Sequence, residues 1–320
     1  MAEECLSRGH DVTLFHRGLS SPGLFPEAEH VIGRRETDLA RLAGRRFDLV
    51  VDPSGYEVTE VRAAVRALAH PGLRYVFIST ISVYADASRR DESSPVQTLE
   101  DAETASFAME RYGALKAACE HALEEALPGR VQHVRAGLIV GPHDYDARFP
   151  WLLRRIAEGG DVIAPGDPEA LVQVVDVRDL AAWMVTCAEA RIVGTFNAAS
   201  PPFTMRHLLA TSRSVLGSDA RFVPVCDEIL LSHDVAPYSE MPFWLPSNLG
   251  AQPVDVRRAI AAGLANRPLA DTVRDTWAWL ETGFPAEASV RANRRFRVPA
   301  GLSTERERAI LDEARGATTW

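Results

Sequence analysis

Uninterrupted apolar runs alternate with amphipathic segments along the first 145 residues of the sequence. The runs at 47–52 and 74–79 consist mostly of Val, Leu, Ile, Phe and Tyr, without the alternation of a half-exposed strand. Segments with helical composition at 59–70 and 109–127 separate and follow them. Continuous apolar strands separated by helices indicate a parallel sheet that is covered on both faces.

The same pattern predicts further elements on either side of residue 145, after which the regularity fades. In the first region these are the tail of a helix at 1–9, strands at 11–15, 31–32 and 132–140, and a helical turn at 39–44. In the second they are helices at 151–158, 180–190, 205–216, 256–263, 269–282 and 305–315, and strands at 172–175 and 195–197. We expect Asp179 to introduce one of these helices, and Thr304 with Glu307 to form a capping box at the last. The Pro-rich stretch 234–253 is too rich in aromatic residues for a disordered linker, so an ordered loop is predicted.

Composition places the chain among ordinary globular proteins. It has 320 residues, 46% hydrophobic and 25% charged, with a formal net charge of −9. The acidic balance disfavours general nucleic-acid binding. The four cysteines (Cys5, Cys119, Cys187 and Cys226) are scattered without metal-ligand spacing and suggest reduced thiols. No secretory signal or membrane-spanning run is visible, so we expect a cytoplasmic protein with no membrane partner.

A tyrosine and a lysine stand four residues apart in the helical segment that ends before Pro128. Residues at this spacing share one helix face, so Tyr112 and Lys116 are expected to point the same way. A phenol with a reference pKa of about 10 is a poor base at neutral pH, and a neighbouring ammonium would lower that pKa. The pair is a candidate acid/base site, and a plain surface pair on a helix is the alternative.

Four motifs resemble, in order and spacing, those of the extended short-chain dehydrogenase/reductase family, the NAD-dependent epimerases and dehydratases. Phe-Ile-Ser-Thr-Ile-Ser-Val-Tyr-Ala-Asp at 77–86 is similar to the family's strand that ends in Ser/Thr and then Val-Tyr-Gly. Tyr112 and Lys116 match its Tyr-x-x-x-Lys, Arg-Ala-Gly-Leu-Ile-Val-Gly-Pro at 135–142 its Arg-Pro…Gly-Pro strand, and Gln-Val-Val-Asp-Val-Arg-Asp-Leu at 173–180 a later strand-to-helix turn. The resemblance implies an α/β fold: a Rossmann-like doubly wound parallel sheet at 1–145, and a smaller α+β region at 146–320 that is mainly substrate-binding, with some segments returning to the sheet.

The resemblance also implies roles for individual residues. Tyr112 would be the general acid/base, Lys116 would lower its pKa and bind the nicotinamide ribose, and Thr80 would hydrogen-bond the reacting oxygen. Ser79 and Ser82 are alternatives to Thr80, and a Thr that merely caps its own turn remains possible. The expected cofactor-binding residues are Arg17, Ser54, Gly55, Ser79 and Lys116. A small-molecule substrate is implied, and a homodimer is an open expectation.

The family's Gly-x-x-Gly-x-x-Gly turn, with the strand before it, has no counterpart ahead of the predicted strand at 11–15. In the family this turn opens a helix whose N-terminus holds the pyrophosphate. We therefore expect a sheet that lacks its first, central strand, from a truncated or misassigned start. The alternative is that another segment fills the gap.

Three positions bear on ligand choice. Arg17 follows the strand where an acidic residue would select NAD, so it favours the 2′-phosphate of NADP, unless it is a solvated turn residue. Arg34 replaces an Asp that contacts adenine in the family. Leu138 stands where sugar-nucleotide enzymes have Asn, which lowers the expectation of a nucleotide-sugar substrate. His143 and Asp144 are further candidates for the substrate cleft.

These observations predict an NAD(P)-dependent oxidoreductase of the epimerase/dehydratase type that acts at a carbinol or carbonyl centre. The alternative is a non-catalytic family member that binds RNA or serves as a scaffold. Arg291, Arg294, Arg295 and Arg297 around Phe296 could touch RNA, although a solvated basic patch is the simpler interpretation.

Overall fold

The structure, a computed structural model, describes residues 1–19, 23–144, 147–282 and 300–317. The chain folds into two compact units, each assembled from segments that are not contiguous in sequence. Unit 1 comprises Met1–Leu138, Arg178–Ser200 and Val254–Ala265, and unit 2 comprises Ile139–Val177, Pro201–Pro253 and Asn266–Trp320. The functional division predicted at residue 145 stays a prediction.

Twelve strands and ten helices are found in the described residues. The strands are β1 (Thr13–His16), β2 (Glu29–Ile32), β3 (Leu49–Asp52), β4 (Arg74–Thr80), β5 (Val131–Ala136), β6 (Leu138–Val140), β7 (Asp161–Pro165), β8 (Leu171–Val172), β9 (Val174–Asp176), β10 (Gly194–Ala198), β11 (Phe203–Thr204) and β12 (Arg221–Val225). The helices are α1 (Ala2–Ser7), α2 (Val58–Leu68), α3 (Tyr112–Ala126), α4 (Arg148–Ala157), α5 (Val177–Glu189), α6 (Met205–Leu216), α7 (Asp227–Ser232), α8 (Arg257–Ala261), α9 (Leu269–Glu281) and α10 (Thr304–Ala317). Short 3-10 turns lie at Leu39–Leu42, Ile81–Val83, Met109–Arg111 and Ser247–Leu249.

Unit 1 contains the predicted parallel sheet. Its four strands run in the order β10-β5-β4-β3, and every pairing is parallel. Thr80 and Ala198 are both in register with Ala136, so the carboxyl ends of β4, β5 and β10 meet at one edge. Ligands of open parallel sheets bind outside this edge. The predicted α/β Rossmann-like fold is confirmed.

β1 and β2 form a separate parallel pair, and within the described residues no backbone ladder joins them to the four-stranded sheet. The strands predicted near residues 11–15 and 47–52 therefore lie in different sheets. A buried cluster that includes Leu42, Leu68 and Leu73 packs against side chains of both, among them Phe15 and Val50.

The core of the four-stranded sheet joins β4 and β5 to the helices α2 and α3. Tyr75, Phe77, Val61, Cys119 and Leu123 are all at most 1% exposed and belong to one apolar cluster. α3 forms because its sequence is rich in Ala, Leu and Glu, which lose little side-chain entropy in a helix. Its small residues also allow close packing on the sheet, and nine of its residues are buried.

Unit 2 is built from small sheets and helices. β7 and β12 pair in parallel and β8 and β11 antiparallel, while β6 pairs with β9. The loop 234–253 is ordered, as predicted: Met241, Phe243 and Trp244 are buried, and the Trp244 indole N–H donates to Asp227 Oδ1 at 2.8 Å.

Several predicted elements are corrected. The strand expected at 132–140 is two strands, β5 and β6, interrupted at Gly137. α5 begins at Val177, so Asp179 lies within its first turn and does not introduce it. The Thr304–Glu307 capping box is wrong: the Ser303 hydroxyl accepts from the backbone N–H of Arg306 at 3.3 Å, and Glu307 instead pairs with Arg155.

Within the described residues, no helix is long and apolar enough to cross a membrane, and no group of three or more His, Cys, Asp or Glu side chains is placed to hold a metal ion. The basic run Arg291, Arg294, Arg295 and Arg297 lies outside the described residues.

Candidate active site

The carboxyl edge of the four-stranded sheet brings most of the predicted site residues into one region of unit 1. Ser54 and Gly55 follow β3, and Ser79 and Thr80 end β4. Tyr112 is the first residue of α3, and Lys116 lies one turn further along this helix.

Lys116 is completely enclosed. Its side chain is 1% exposed, its ammonium donates to the carbonyl oxygen of Gly55 at 2.7 Å, and Nζ lies 4.0 Å from the centre of the Phe77 ring. Burial lowers the pKa of Lys116 to about 8, although the charge of Asp52 opposes this. A lysine with such a pKa can change its protonation state near neutral pH.

Lys116 is also the only lysine in the sequence, since the other 34 of the 35 basic residues are arginines. An arginine presents five donors in a rigid fork and stays charged, whereas this site supplies one carbonyl acceptor and an aromatic face. The site therefore suits the compact ammonium of a lysine better than a guanidinium. The single lysine is visible in the sequence and singles out Lys116 independently of the Tyr-x-x-x-Lys motif.

The Tyr112 ring belongs to an aromatic group that also contains Tyr56 and Phe107. Its centroid lies 6.4 Å from that of Tyr56 and 6.3 Å from that of Phe107, and Tyr56 and Phe107 meet edge to face at 5.5 Å. Tyr56 also lies under the Lys116 ammonium, with Nζ 5.2 Å from its ring centre. Tyr56 thus touches both members of the predicted Tyr-Lys pair.

Thr80 caps the turn that follows β4. Its hydroxyl oxygen accepts from the backbone N–H of Ser82 at 3.1 Å and donates to the Ser82 hydroxyl at 3.2 Å. The capping role considered as an alternative is therefore observed. Gly113 packs against this same turn, since a Cβ built on Gly113 would lie 2.1 Å from the Ser82 carbonyl oxygen. The start of α3 and the Thr80 turn are in contact.

The Ser79 hydroxyl is buried and has no hydrogen-bond partner within the described residues. The side chain is 3% exposed and ends β4 beside Thr80. An unpaired buried hydroxyl is costly, and native proteins keep few of them without a reason.

Arg17 is exposed and directly follows β1, a strand of the two-stranded sheet of unit 1. Arg34 is also exposed, at 72% of its side chain. The neighbouring Arg35 is the residue that sequence reasoning missed: it binds the Asp52 carboxylate with both terminal nitrogens, each at 2.6 Å. Two adjacent arginines look alike in sequence, and nothing in the pattern separates them.

The candidates after β6 have structural partners in unit 2. The His143 ring lies 5.3 Å from the ring of Trp279, and Asp144 accepts from the backbone N–H of Phe149 near the start of α4 at 3.4 Å. Leu138 is half-buried in β6.

Comparison with known proteins supports the family resemblance. Residues 55–199 match the model of the NAD dependent epimerase/dehydratase family. No curated protein matches the chain.

Solved structures with the same fold cover most of the chain. A proposed epimerase from Burkholderia cenocepacia J2315 has a TM-score of 0.66 and 20% identity, over 87% of this chain and 92% of its own. WbmH of Bordetella bronchiseptica, solved with NAD⁺, has a TM-score of 0.64 and 18% identity, over 88% and 94%. UDP-glucuronic acid 4-epimerase of Bacillus cereus, solved with NAD, has a TM-score of 0.62 and 15% identity, over 88% and 95%. The predicted family resemblance is confirmed for residues 55–199, and the predicted fold over most of the chain.

Proposed function

We propose, from the family match of residues 55–199, that the protein is an NAD(P)-dependent oxidoreductase of the epimerase/dehydratase type. It acts on a small molecule at a carbinol or carbonyl centre, with Thr80, Tyr112 and Lys116 as its catalytic residues. The observation that carries the proposal is the sole lysine of the chain, buried at the carboxyl edge of the sheet between Gly55 and the aromatic group that contains Tyr112.

The residues at this edge suit the nicotinamide-ribose part of a dinucleotide. Ser79 has a buried hydroxyl without a partner in the described part of the chain, and it would bond the cofactor together with Lys116. Ser54 and Gly55 would let the backbone approach the cofactor closely. The fold itself leaves no room for a side chain at Gly55, since a Cβ there would lie 2.7 Å from Val61 Cγ1. The bound dinucleotide would supply the hydride acceptor and donor.

Tyr112 would accept the proton of the substrate hydroxyl. When a carbinol carbon gives up a hydride, the attached oxygen must lose a proton to a group within hydrogen-bond reach. A phenol accepts it near neutral pH more readily with a positive charge nearby, and Lys116, one turn further along α3, would supply that charge. The Tyr56 ring lies against both side chains.

Thr80 would bind the same substrate oxygen from the other side. Its hydroxyl now donates to Ser82, a contact between two flexible hydroxyls that a substrate oxygen can replace. The backbone N–H of Ser82 would continue to hold Thr80 in place during this exchange.

Arg17 supports a preference for NADP over NAD. It is exposed at the end of β1, where the family selects between the ribose hydroxyls and a 2′-phosphate. The substrate is proposed only as a small molecule with an alcohol or ketone. Solved relatives include UDP-sugar epimerases, but the apolar Leu138 argues against a nucleotide sugar for this chain.

The test separates binding from chemistry. Dinucleotide affinity is measured by titration of the full chain, and turnover by absorbance of the reduced cofactor with panels of sugar nucleotides and simple alcohols. Tyr112→Phe should lower kcat by about 10²–10⁴-fold and leave the Kd within about twofold, because only the proton acceptor is lost. Thr80→Val should lower kcat by a smaller factor.

Tyr238→Phe is the matched control, because this tyrosine is 38% exposed in unit 2. Wild-type protein that binds neither NAD nor NADP would overturn the proposal. Tight binding of single-stranded RNA without dinucleotide binding would support the RNA-binding alternative instead.

A further inference from the structure

A buried carboxylate, Asp52, stands at the centre of a four-contact network at the end of β3. Arg35 donates to both of its oxygens at 2.6 Å, the Tyr75 hydroxyl donates to Oδ2 at 2.6 Å, and the backbone N–H of Ser54 donates to Oδ1 at 3.0 Å. Asp52 is 3% exposed and Tyr75 is 1% exposed. We call Arg35, Asp52 and Tyr75 the buried triad.

Within the buried triad, the positive charge of Arg35 compensates the negative charge of Asp52. Burial acts to raise the pKa of Asp52, but the hydrogen bonds from Arg35 and its charge outweigh it, so the pKa of this carboxyl lies below its ordinary value. Burial and the Asp52 charge raise the pKa of the Tyr75 phenol well above its ordinary value. Near neutral pH Asp52 is therefore ionised, and the protonated Tyr75 hydroxyl donates to it.

The triad touches the turn that carries two proposed cofactor-binding residues. Asp52 accepts a hydrogen bond from the backbone N–H of Ser54, and Arg35 donates to the Ser54 hydroxyl at 3.4 Å. A Cβ on Gly55 would lie 3.1 Å from Asp52 Oδ2, so this backbone lies directly on the carboxylate. The far side of the turn is held by Glu60, which accepts from the backbone N–H of Tyr56 at 2.8 Å.

The carbonyl oxygen of the same Gly55 accepts a hydrogen bond from the Lys116 ammonium at 2.7 Å. The triad and the lysine thus contact one peptide segment from opposite ends, and Lys116 has no other hydrogen-bond acceptor among the described residues. If the turn moved, Lys116 would lose the group that orients it.

We propose that the buried triad is a positioning device for Lys116: Arg35, Asp52 and Tyr75 hold the Ser54–Gly55 turn where its carbonyl orients the lysine and its backbone receives the cofactor ribose. The cofactor half of this statement rests on the proposed function, and the lysine half does not. None of the three triad residues belongs to the family motifs that pointed to the site.

The single lysine makes the test direct. Protein labelled with [ε-¹³C]lysine should give one lysine side-chain resonance, whose titration reports Lys116 alone. The wild-type midpoint is expected near pH 8. The ionisable groups that act on Lys116 are Cys119, Asp52, Glu120 and Arg35, and the Cys119 thiol, with its pKa raised to about 12, stays neutral throughout the titration.

Tyr75→Phe is the main variant, because it removes one hydroxyl and leaves the Arg35–Asp52 ion pair intact. We expect the Lys116 midpoint to fall, since a displaced Gly55 carbonyl no longer stabilises the ammonium, and the dinucleotide Kd to rise about tenfold. Asp52→Asn should lower the midpoint further, because the carboxylate is lost and Arg35 is left without its counter-charge.

Thr272→Val is the matched control in unit 2. The Thr272 hydroxyl also donates to a buried aspartate, Asp176, at 2.8 Å, and Arg267 lies 3.6 Å from that aspartate. This control should lower thermal stability as Tyr75→Phe does, without moving the lysine resonance.

A Tyr75→Phe protein that is folded and less stable but keeps the wild-type lysine titration would overturn the proposal, because the triad would then be merely structural. If the titration shifts as expected while wild-type protein binds no dinucleotide, positioning of Lys116 stands and the proposed function fails.

Discussion

Gly113 lies directly against the backbone of Ser82: a Cβ built on Gly113 would come 2.1 Å from the Ser82 carbonyl oxygen and 2.6 Å from the Gln97 amide nitrogen. Gln97 donates to this same carbonyl at 2.7 Å. This contact fixes the distance between two elements, because Tyr112 begins the helix and Thr80 caps the turn. The absent side chain is what lets the proposed acid/base and the proposed substrate donor share one site.

The variant Gly113→Ala tests this contact. In an open helix this change would stabilise by about 1 kcal/mol, but a methyl group forced against backbone atoms costs about 1–3 kcal/mol and moves the helix start. We expect a lower Tm and a loss of turnover larger than the loss of dinucleotide affinity. Gly316→Ala, in a helix with open space around the glycine, should leave both kinetic quantities unchanged and not lower the Tm.

Lys116→Arg keeps the charge and should nevertheless fail. The site offers the Gly55 carbonyl and the Phe77 face, so most donors of a buried guanidinium would stay unsatisfied, at about 1–3 kcal/mol or more. Both the Tm and kcat should fall. The reverse exchange at an exposed position, Arg206→Lys, is the control, since its side chain is 65% exposed. Retained activity in Lys116→Arg would show that the compact amine is not required.

Arg17→Ala tests cofactor selection. If the guanidinium binds a 2′-phosphate, its loss should erase a preference for NADP worth about 1.5–3 kcal/mol, as expected for a charge-assisted hydrogen bond. Affinities for NADP and NAD are compared by titration at fixed ionic strength. Arg34→Ala is the neighbouring control, with an exposed arginine removed. An NAD preference that the Arg17 variant leaves unchanged would contradict the assignment.

The burial of His133 predicts that the stability of the folded protein depends on pH. Its ring is 4% exposed, and burial lowers its pKa below the ordinary value of 6.5, although Glu120 and Glu124 oppose the shift. The unfolded chain therefore takes up a proton first as the pH falls, so stability is full above about pH 6.5 and decreases below it. His16 has a pKa shifted in the same direction and adds to the effect.

Thermal unfolding between pH 7.5 and 5 checks this expectation. Over this range the Tm of His133→Gln should decrease less than the Tm of the wild type. The variant lacks an imidazole whose pKa differs between the folded and unfolded states. His121→Ala should keep the wild-type dependence, because the His121 side chain is 78% exposed. Parallel curves for wild type and His133→Gln would show that His133 takes up its proton in the folded state.

The sequence by itself determined that unit 1 has a parallel α/β core, and it singled out Tyr112 and Lys116 on one helix. Continuous apolar runs at β3 and β4 are typical of strands buried on both faces, and helical spacing places Tyr112 and Lys116 one turn apart. It was less informative in unit 2, where β7 and β12 were not predicted. β12 contains Pro224, and Gly159, Gly160 and Pro165 flank or end β7, so local signals there argued for turns.

Only the tertiary structure decided which polar groups meet. Arg34 and Arg35 are identical in sequence terms, yet one is exposed and the other binds a carboxylate from β3. The burial of Lys116 on Gly55 and the contact of Gly113 with Ser82 likewise join segments far apart in the chain. Local propensity and spacing act over a few residues, whereas burial, ion pairing and pKa depend on neighbours that only the folded sheet brings together.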